Sequence, residues 1–426
     1  LVAIAALAAF GAQAQSTVTL SGIVDAGYQN ISNLGGQKTN QVGQNGARTS
    51  TFKFNGVEDL GGGLNANFQF EVQPSYIASN GNAYNAVLTT PQTAVSGTIN
   101  GTQTTNAASA QSGLVGKGQS FIGLTDAKLG TVQFGTINTA TFGAWATGSA
   151  LGTGIGSGYG SGNTFGDFTR YESSVAYKSP SFNGVDFSVL RGTDNQAQFG
   201  VVGSTATSVV LRRPEVTDIG IGYANGPLTV KFGRLASKAT ANESTAANVN
   251  ATTTTQLLAA SYDAGFAKFG LVTGTAKNKG AALTTKLDNS WSLASVTVPM
   301  GANRLIAQTG AVKVDGTNAS YVQGKKITTT GLAFERDLSK RTFVYARYEK
   351  TDLAGVGAAG DGGNGHRMLR QGVAVRGRLK LLRTQNFSRL RIGPQILRAL
   401  GACDVHLNRR QINRDGLGVT RLCGSI

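Results

Sequence analysis

From residue 1 to residue 365 the chain contains no cysteine and no histidine. Cys403, Cys423, His366 and His406 all lie beyond that point. Cys/His metal sites and Cys- or His-based nucleophilic catalysis are therefore excluded from most of the chain. Lack of cysteine is compatible with an exported protein that uses no disulfides. Proline is scarce, 7 of 426 residues, and charged residues make up 14 %, well below the usual quarter or so. Beyond the first residues no apolar run approaches the ~20 residues of a helical span. Mean hydropathy is nonetheless −0.08, close to zero. These absences exclude a helical membrane protein and fit poorly with an ordinary charged soluble domain.

What is present is glycine, 59 residues, with much Thr, Ser and Asn and short alternating segments. Arg48 to Val72, RTSTFKFNGVEDLGGGLNANFQFEV, shows the pattern best. Phe52 and Phe54 alternate with Thr51, Lys53 and Asn55; Leu64, Ala66, Phe68, Phe70 and Val72 alternate with Asn65, Asn67, Gln69 and Glu71. Glu58–Gly63 between them is rich in residues that accept positive φ. Period-two alternation gives a hairpin with one apolar and one polar face. In a soluble sandwich the apolar face points inward; in an outer-membrane barrel it points into lipid and the polar face lines water.

The rhythm repeats. Strand pairs flank short turns at 127–130, 179–184, 225–227, 263–265, 299–301 and 337–339, and the gaps between the pairs are long, polar and irregular. Short turns at one end and long loops at the other fit a transmembrane antiparallel β-barrel. A leading strand at Ser16–Tyr28 and seven hairpins make fifteen strands. Single-chain bacterial barrels have an even number, so a sixteenth is expected after about residue 351.

The net charge of +17 is unevenly spread. Residues 366–426 hold 13 Lys/Arg against 2 Asp/Glu, a net of +11, and residues 1–365 hold 26 against 20, a net of +6. This distribution argues against nucleic acid as a partner. At the other end, LVAIAALAAFGAQAQ reads as an apolar signal segment with a cleavage site at Ala12-Gln13-Ala14, cut after Ala14 and beginning upstream of Leu1. The expected organisation is therefore a signal segment over 1–14, a barrel over 15–352 and a basic tail over 353–426.

At this point several stretches resemble the general porins of Gram-negative bacteria, in particular the trimeric sixteen-stranded porins of beta-proteobacteria. Val18–Gly27 resembles the first strand of that family and Phe54–Leu64 its first periplasmic turn. Phe121–Leu124 with Leu129–Gly135 is similar to the hairpin before its constriction loop, and Ser173–Gly184 to the hairpin after it. Leu338–Thr342 resembles the last periplasmic turn. The resemblance implies a homotrimer of water-filled barrels in the outer membrane of a Gram-negative bacterium, each narrowed by its third external loop. Here that loop is Asn138–Phe168, with the glycine-rich run Gly152–Gly162. No Lys-Ser/Thr follows the run and no helical pattern begins after it, so we read it as a compact loop and not a phosphate cradle.

Parity along the strands selects lumen residues: Thr51, Lys53, Glu71, Arg170, Glu172, Lys178, Lys231, Lys268, Arg347 and Glu349. Lys53 and Arg170 are the first candidates for a basic cluster facing the loop. Arg48 joins them only if it lies beyond the end of its strand. Asp167, the sole acid of the loop, is the natural opposing charge. The family pattern carries Arg where this chain has Thr51 and Thr136, which weakens the expected anion preference.

The same family ends in Phe, whereas this chain ends Leu422-Cys423-Gly424-Ser425-Ile426 after an Arg-rich tail. A shifted reading frame or a fused end accounts for that, as does a basic extension. Gln371–Leu382 alternates, with Arg376, Arg378 and Lys380 opposite Val375, Leu379 and Leu381, and offers a substitute strand with its basic face in the lumen. Without it the first and fifteenth strands would present unpaired backbone to lipid, and poor assembly is expected. The function expected is passive diffusion of ions and small hydrophilic solutes, weakly anion-preferring, with no cofactor, no catalytic residues and outer-membrane lipid as surroundings. A substrate-specific outer-membrane channel and a secreted β-rich adhesin are the alternatives.

Overall fold

In a computed structural model, the described residues are 17–32, 38–74, 118–159, 169–192, 196–198, 210–212, 215–238, 252–279, 288–315, 326–352 and 367–380. The expected signal segment, Asp167 and residues 381–426 lie outside them.

One antiparallel sheet of seventeen strands dominates. Strand β1 (Thr17–Ser32) is followed by β2 (Lys38–Gln44) and β3 (Thr51–Gly61). Residues 26–32 of β1 pair with β2 and residues 17–23 with β3, so β2 and β3 share one position in the wall and sixteen positions remain. The wall continues through β4 (Leu64–Val72), β5 (Ser120–Asp126), β6 (Gly130–Asn138), β7 (Arg170–Lys178) and β8 (Val185–Gly192). A separate ribbon of β9 (Gln196–Gln198) and β10 (Val210–Arg212) follows. The wall resumes with β11 (Glu215–Asn225), β12 (Leu228–Lys238), β13 (Thr252–Asp263), β14 (Lys268–Lys279), β15 (Asp288–Met300), β16 (Asn303–Val314), β17 (Lys326–Asp337) and β18 (Thr342–Asp352).

The last strand, β19 (Arg367–Lys380), pairs with β18 on one side and β1 on the other, Tyr348 opposite Gln371 and Gly27 opposite Ala374. The sheet is thereby closed. The expectation of two open edges is corrected: the ladder needs extended backbone in register, and Arg367–Lys380 supplies it without the terminal Phe of the family. The side chains of Arg376, Arg378 and Lys380 lie outside the described residues.

Alternation holds round the wall except at the start of β7. Phe54, Phe68, Ile122, Phe134, Ile221, Leu271 and Phe334 are exposed outward. Their strand neighbours point into the ring. The inner face is not uniformly polar, however. Leu190, Val216, Leu235, Leu257, Val272, Trp291, Leu293 and Val312 form a buried cluster on the inner side of β8 and β11–β16. What they pack against is the segment after β6, which begins with helix α1 (Ala140–Gly148). The stretch 138–168, expected as a loop, thus opens with a helix ahead of its glycine run. Thr139 caps the helix by accepting from Phe142 N–H at 2.9 Å. Asp218, distant in sequence, adds its carboxylate at the same end.

Candidate functional site

The chain leaves β6, folds into the ring, and returns to β7. Thr139 N–H bonds to Thr169 O at 3.1 Å and closes the base of the excursion. From there inner-wall side chains hold it in sequence. Asp218 of β11 accepts from Ala140 N–H and from Thr141 Oγ1, both at 2.5 Å. Trp145, 1 % exposed, packs into the apolar cluster and donates Nε1–H to Gly152 O at 2.9 Å. Ser295 Oγ donates to Gly148 O at 2.7 Å. Gln308 accepts from Leu151 N–H at 3.1 Å and donates to Ser157 O at 3.0 Å.

The tip of the excursion lies against β17 and β18. Arg347 Nη1 donates to Leu151 O and Ile155 O, each at 3.3 Å, and Nη2 donates to Glu335 Oε1 at 2.6 Å. Glu349 Oε2 accepts from Gly156 N–H at 2.7 Å, and Ile155 N–H reaches Gly46 O at 2.8 Å. The glycines make this approach possible. A Cβ on Gly331 would sit 2.0 Å from Gly156 O, and Gly156 itself has φ +95. The N–H groups of Ile155 and Gly156 are committed to the wall and those of Gly152, Gly154 and Ser157 to carbonyls of the segment itself, which accounts for the glycines without any bound anion.

A second cluster fixes the residues between β2 and β3. Asp25, fully buried, accepts from Ala47 N–H at 2.9 Å, Arg48 N–H at 2.7 Å and Tyr345 Oη at 2.6 Å. Arg48 therefore does lie beyond the end of β3, and its Nη1 would be 3.8 Å from a Cβ placed on Gly152. Below the tip a chain of charges runs along the inner wall. Arg304 bonds Asp337 at 2.7 Å and Glu335 at 3.1 Å, and Glu335 meets Arg347.

The sequence-selected residues divide accordingly. Lys53 and Glu71 face one another and pair at 2.9 Å; Glu71 also accepts from Gln73 Nε2 at 3.0 Å and Gln69 Nε2 at 3.3 Å. Thr51 is buried beside them. Arg347 and Glu349 hold the loop tip. Lys231 shares the inward parity of Gly233 and Leu235, while Lys178 and Lys268 are exposed at the short-turn ends of their strands. Arg170 and Glu172 are corrected. A register shift places Ile137 opposite Tyr171, with Ser173 at φ +50, so an extra residue inverts the alternation. Tyr171 takes the inward side with Ser174 and Ile137, and Arg170 and Glu172 take the other. Thr136 lies within β6, opposite Ser120.

Parity also fits residues not selected from sequence: Asp25, Asp218, Arg304, Gln308 and Glu335. Their alternation was visible; their partners, main-chain groups far along the chain, were not. Replacing Arg347 with Met leaves Glu335 with Arg304 alone and frees two carbonyls. Breaking a buried pair costs about 3–5 kcal/mol, and the remaining Arg304 contact puts this variant near the lower end. The expected readout is an earlier thermal unfolding in detergent, largely restored in R347M/E335L; an unshifted R347M transition would remove Arg347 from the clamp.

A family model for Gram-negative porins matches residues 1–355. Outer membrane porin protein 32 of Delftia acidovorans is 29 % identical over 354 residues, covering 81 % of this chain and 87 % of that protein. An outer membrane porin protein of Bordetella pertussis is 27 % identical over 400 residues, covering 81 % and 92 %. Among solved structures, the anion-selective porin from Comamonas acidovorans superposes with a TM-score of 0.59 at 22 % identity, covering 86 % of this chain and all of that one. With the closed sixteen-position wall and the inward-folded segment after β6, the match over most of its length means that this chain belongs to the Gram-negative porin family.

Proposed function

We propose that the chain forms a water-filled channel through which ions and small hydrophilic solutes diffuse passively, with a weak preference for anions, and that it works as a homotrimer. As a porin it sits in the outer membrane of a Gram-negative bacterium. One observation carries the preference for anions. Around the inward-folded segment the carboxylates are withdrawn from water: Asp25 is 0 %, Asp218, Glu335 and Glu349 1 %, and Glu71 5 % exposed. Each is committed to N–H or O–H donors or to a cation. Two cations facing the same lumen keep side-chain surface in water, Lys53 at 34 % beside a buried Glu71 and Arg304 at 30 % beside Asp337, itself 40 % exposed. The field that a permeating ion meets is set by the charges it can approach. Both cations have acidic partners, and Thr51 stands where the family pattern has Arg, so the preference is weak.

Planar-bilayer recordings test this. Large ohmic steps support a general diffusion pore; small saturable currents would point to a substrate-specific channel, and absence of steps to no pore. Reversal potential in a salt gradient tests the preference. Glu71→Gln leaves Lys53 without its counter-charge. A unit charge about 4 Å away in water is worth about 1 kcal/mol, reduced by salt over a Debye length of about 10 Å at 0.1 M. The anion-to-cation permeability ratio is expected to rise about twofold at 0.1 M and less at 1 M; a fall in the ratio would contradict the reading.

A further inference from the structure

The inward-folded segment carries no charge over its described length: from Thr139 to Tyr159 it holds no Asp, Glu, Lys, Arg or His. Helix α1 buries Thr141, Ala144, Trp145 and Gly148 against β11–β15. Helical spacing puts Phe142, Gly143 and Ala146 on the opposite side. Phe142 and Gly143 are half-buried and Ala146 is exposed, and a Cβ on Gly143 would meet nothing within 4 Å. This face of α1 is therefore apolar and borders open space. Aromatic rings extend it. Tyr159 meets Phe142 edge-on at 6.3 Å. Phe121 of β5 takes the inward side, since Ile122 and Leu124 are exposed outward. With the inward Tyr171 of β7 it packs against the same buried cluster as Phe142 and Tyr159.

The order of the wall decides what this face looks across at. β12 and β13, behind α1, stand eight of the sixteen positions away from β1 and β3. β3 presents Lys53, which holds Glu71 at 2.9 Å and keeps part of its side chain in water. An ammonium has three donors, so one carboxylate does not exhaust it. Heights are close. Gly233, where a Cβ would lie 2.4 Å from Thr141 Cα, is five residues from Leu228 at its short turn. Phe121 is five residues from Asp126 and Lys53 eight from Gly61. Three residues rise about 8 Å at about 3.3 Å each and a tilt of about 40°, so Lys53 borders the α1 level from the side of the long connections. One side of the passage is thus cationic and the other apolar and aromatic. We propose that the aperture binds small planar aromatic carboxylates, with the ring against Phe142, Gly143 and Ala146 and the carboxylate toward Lys53. The uncharged segment does not repel the anion, Lys53 complements it, and contact with the Phe142 ring adds what an aliphatic acid lacks. The proposal rests on the reading of the lumen as the solute path.

The test uses the full chain in planar bilayers, with benzoate, acetate or benzyl alcohol added to the same potassium chloride solution. Benzoate is expected to block the current at a concentration on the order of tenfold below the other two, because it alone offers both a ring to bury and a charge to pair. Phe142→Ala is expected to bring benzoate close to acetate, and Lys53→Gln to bring it close to benzyl alcohol. Should F142A fail to insert, Ala146→Asp takes its place. That side chain borders open space, and the added carboxylate is expected to weaken the benzoate block severalfold more than that of benzyl alcohol. Equal block by benzoate and either of the other two in the parent, or an unchanged benzoate block in A146D, would overturn the proposal and leave the channel reading intact. Absence of current steps in potassium chloride alone would remove both.

Discussion

Ending the chain at Asp352 is expected to abolish the heat-modifiable folded form seen on unheated gels of outer-membrane fractions, while the full chain retains it. The truncation removes β19, the strand that pairs with both β18 and β1. Each backbone group then left unpaired in hydrocarbon costs several kcal/mol. β1 alone has twelve residues in register with β19, Ser21 through Ser32, so the loss exceeds the whole stability of an ordinary domain, about 5–15 kcal/mol. The position of the end matters more than its composition. A chain ending after Lys380 should behave like the full one, because it keeps every pairing described between β19 and its two neighbours. A folded band from the Asp352 truncation would show that the wall closes by another route.

Trp145→Ala is expected to destabilise the fold by about 3–5 kcal/mol, the usual range for deleting a buried Trp. The indole is 1 % exposed, lies 5.5 Å from the Tyr159 ring, and fills the space between α1 and the apolar inner wall. Its Nε1–H also ties the end of the helix to Gly152. Losing both loosens the segment that narrows the lumen. The expected signature is a larger, noisier single-channel step together with an earlier thermal transition. Trp145→Phe keeps most of the packing and loses the hydrogen bond, at about 1 kcal/mol, and should keep a quiet channel of parental size. Parental conductance and stability in W145A would mean that the polar clamps suffice without the apolar core.

The wall was legible in the sequence because one period-two signal per strand is local. Phe68 and Phe70 beside Gln69 and Glu71 need no distant information to be placed. The short turns were legible for the same reason, and Gly61, Gly130, Gly184, Gly226, Gly265 and Gly301 all have positive φ where turns were expected. Alternation fails where an extra residue enters, as it did for Arg170 and Glu172. Helix α1 was missed because one of its caps is Asp218, 78 residues from Ala140. The site was read in part. The inward parity of Lys53, Glu71 and Arg347 followed from alternation along each strand, and the ion pair of Lys53 with Glu71 did not. That Arg347 grips two loop carbonyls depends on contacts across nearly two hundred residues, and that Asp25 arranges Arg48 depends on one across 23.

The clamps on the inward-folded tip share one property. Arg347 takes the carbonyls of Leu151 and Ile155, Glu349 the N–H of Gly156, and Gln308 the N–H of Leu151 and the carbonyl of Ser157. All five are main-chain groups, present whatever side chain the tip carries. The aperture is therefore held independently of what decorates it. Exposed positions of the loop, such as Thr153, can exchange without slackening the grip, so in the proposed channel a substitution there is expected to alter the chemistry of the aperture without altering its size. The glycines lying on the wall, Gly154 and Gly156, do not share that freedom.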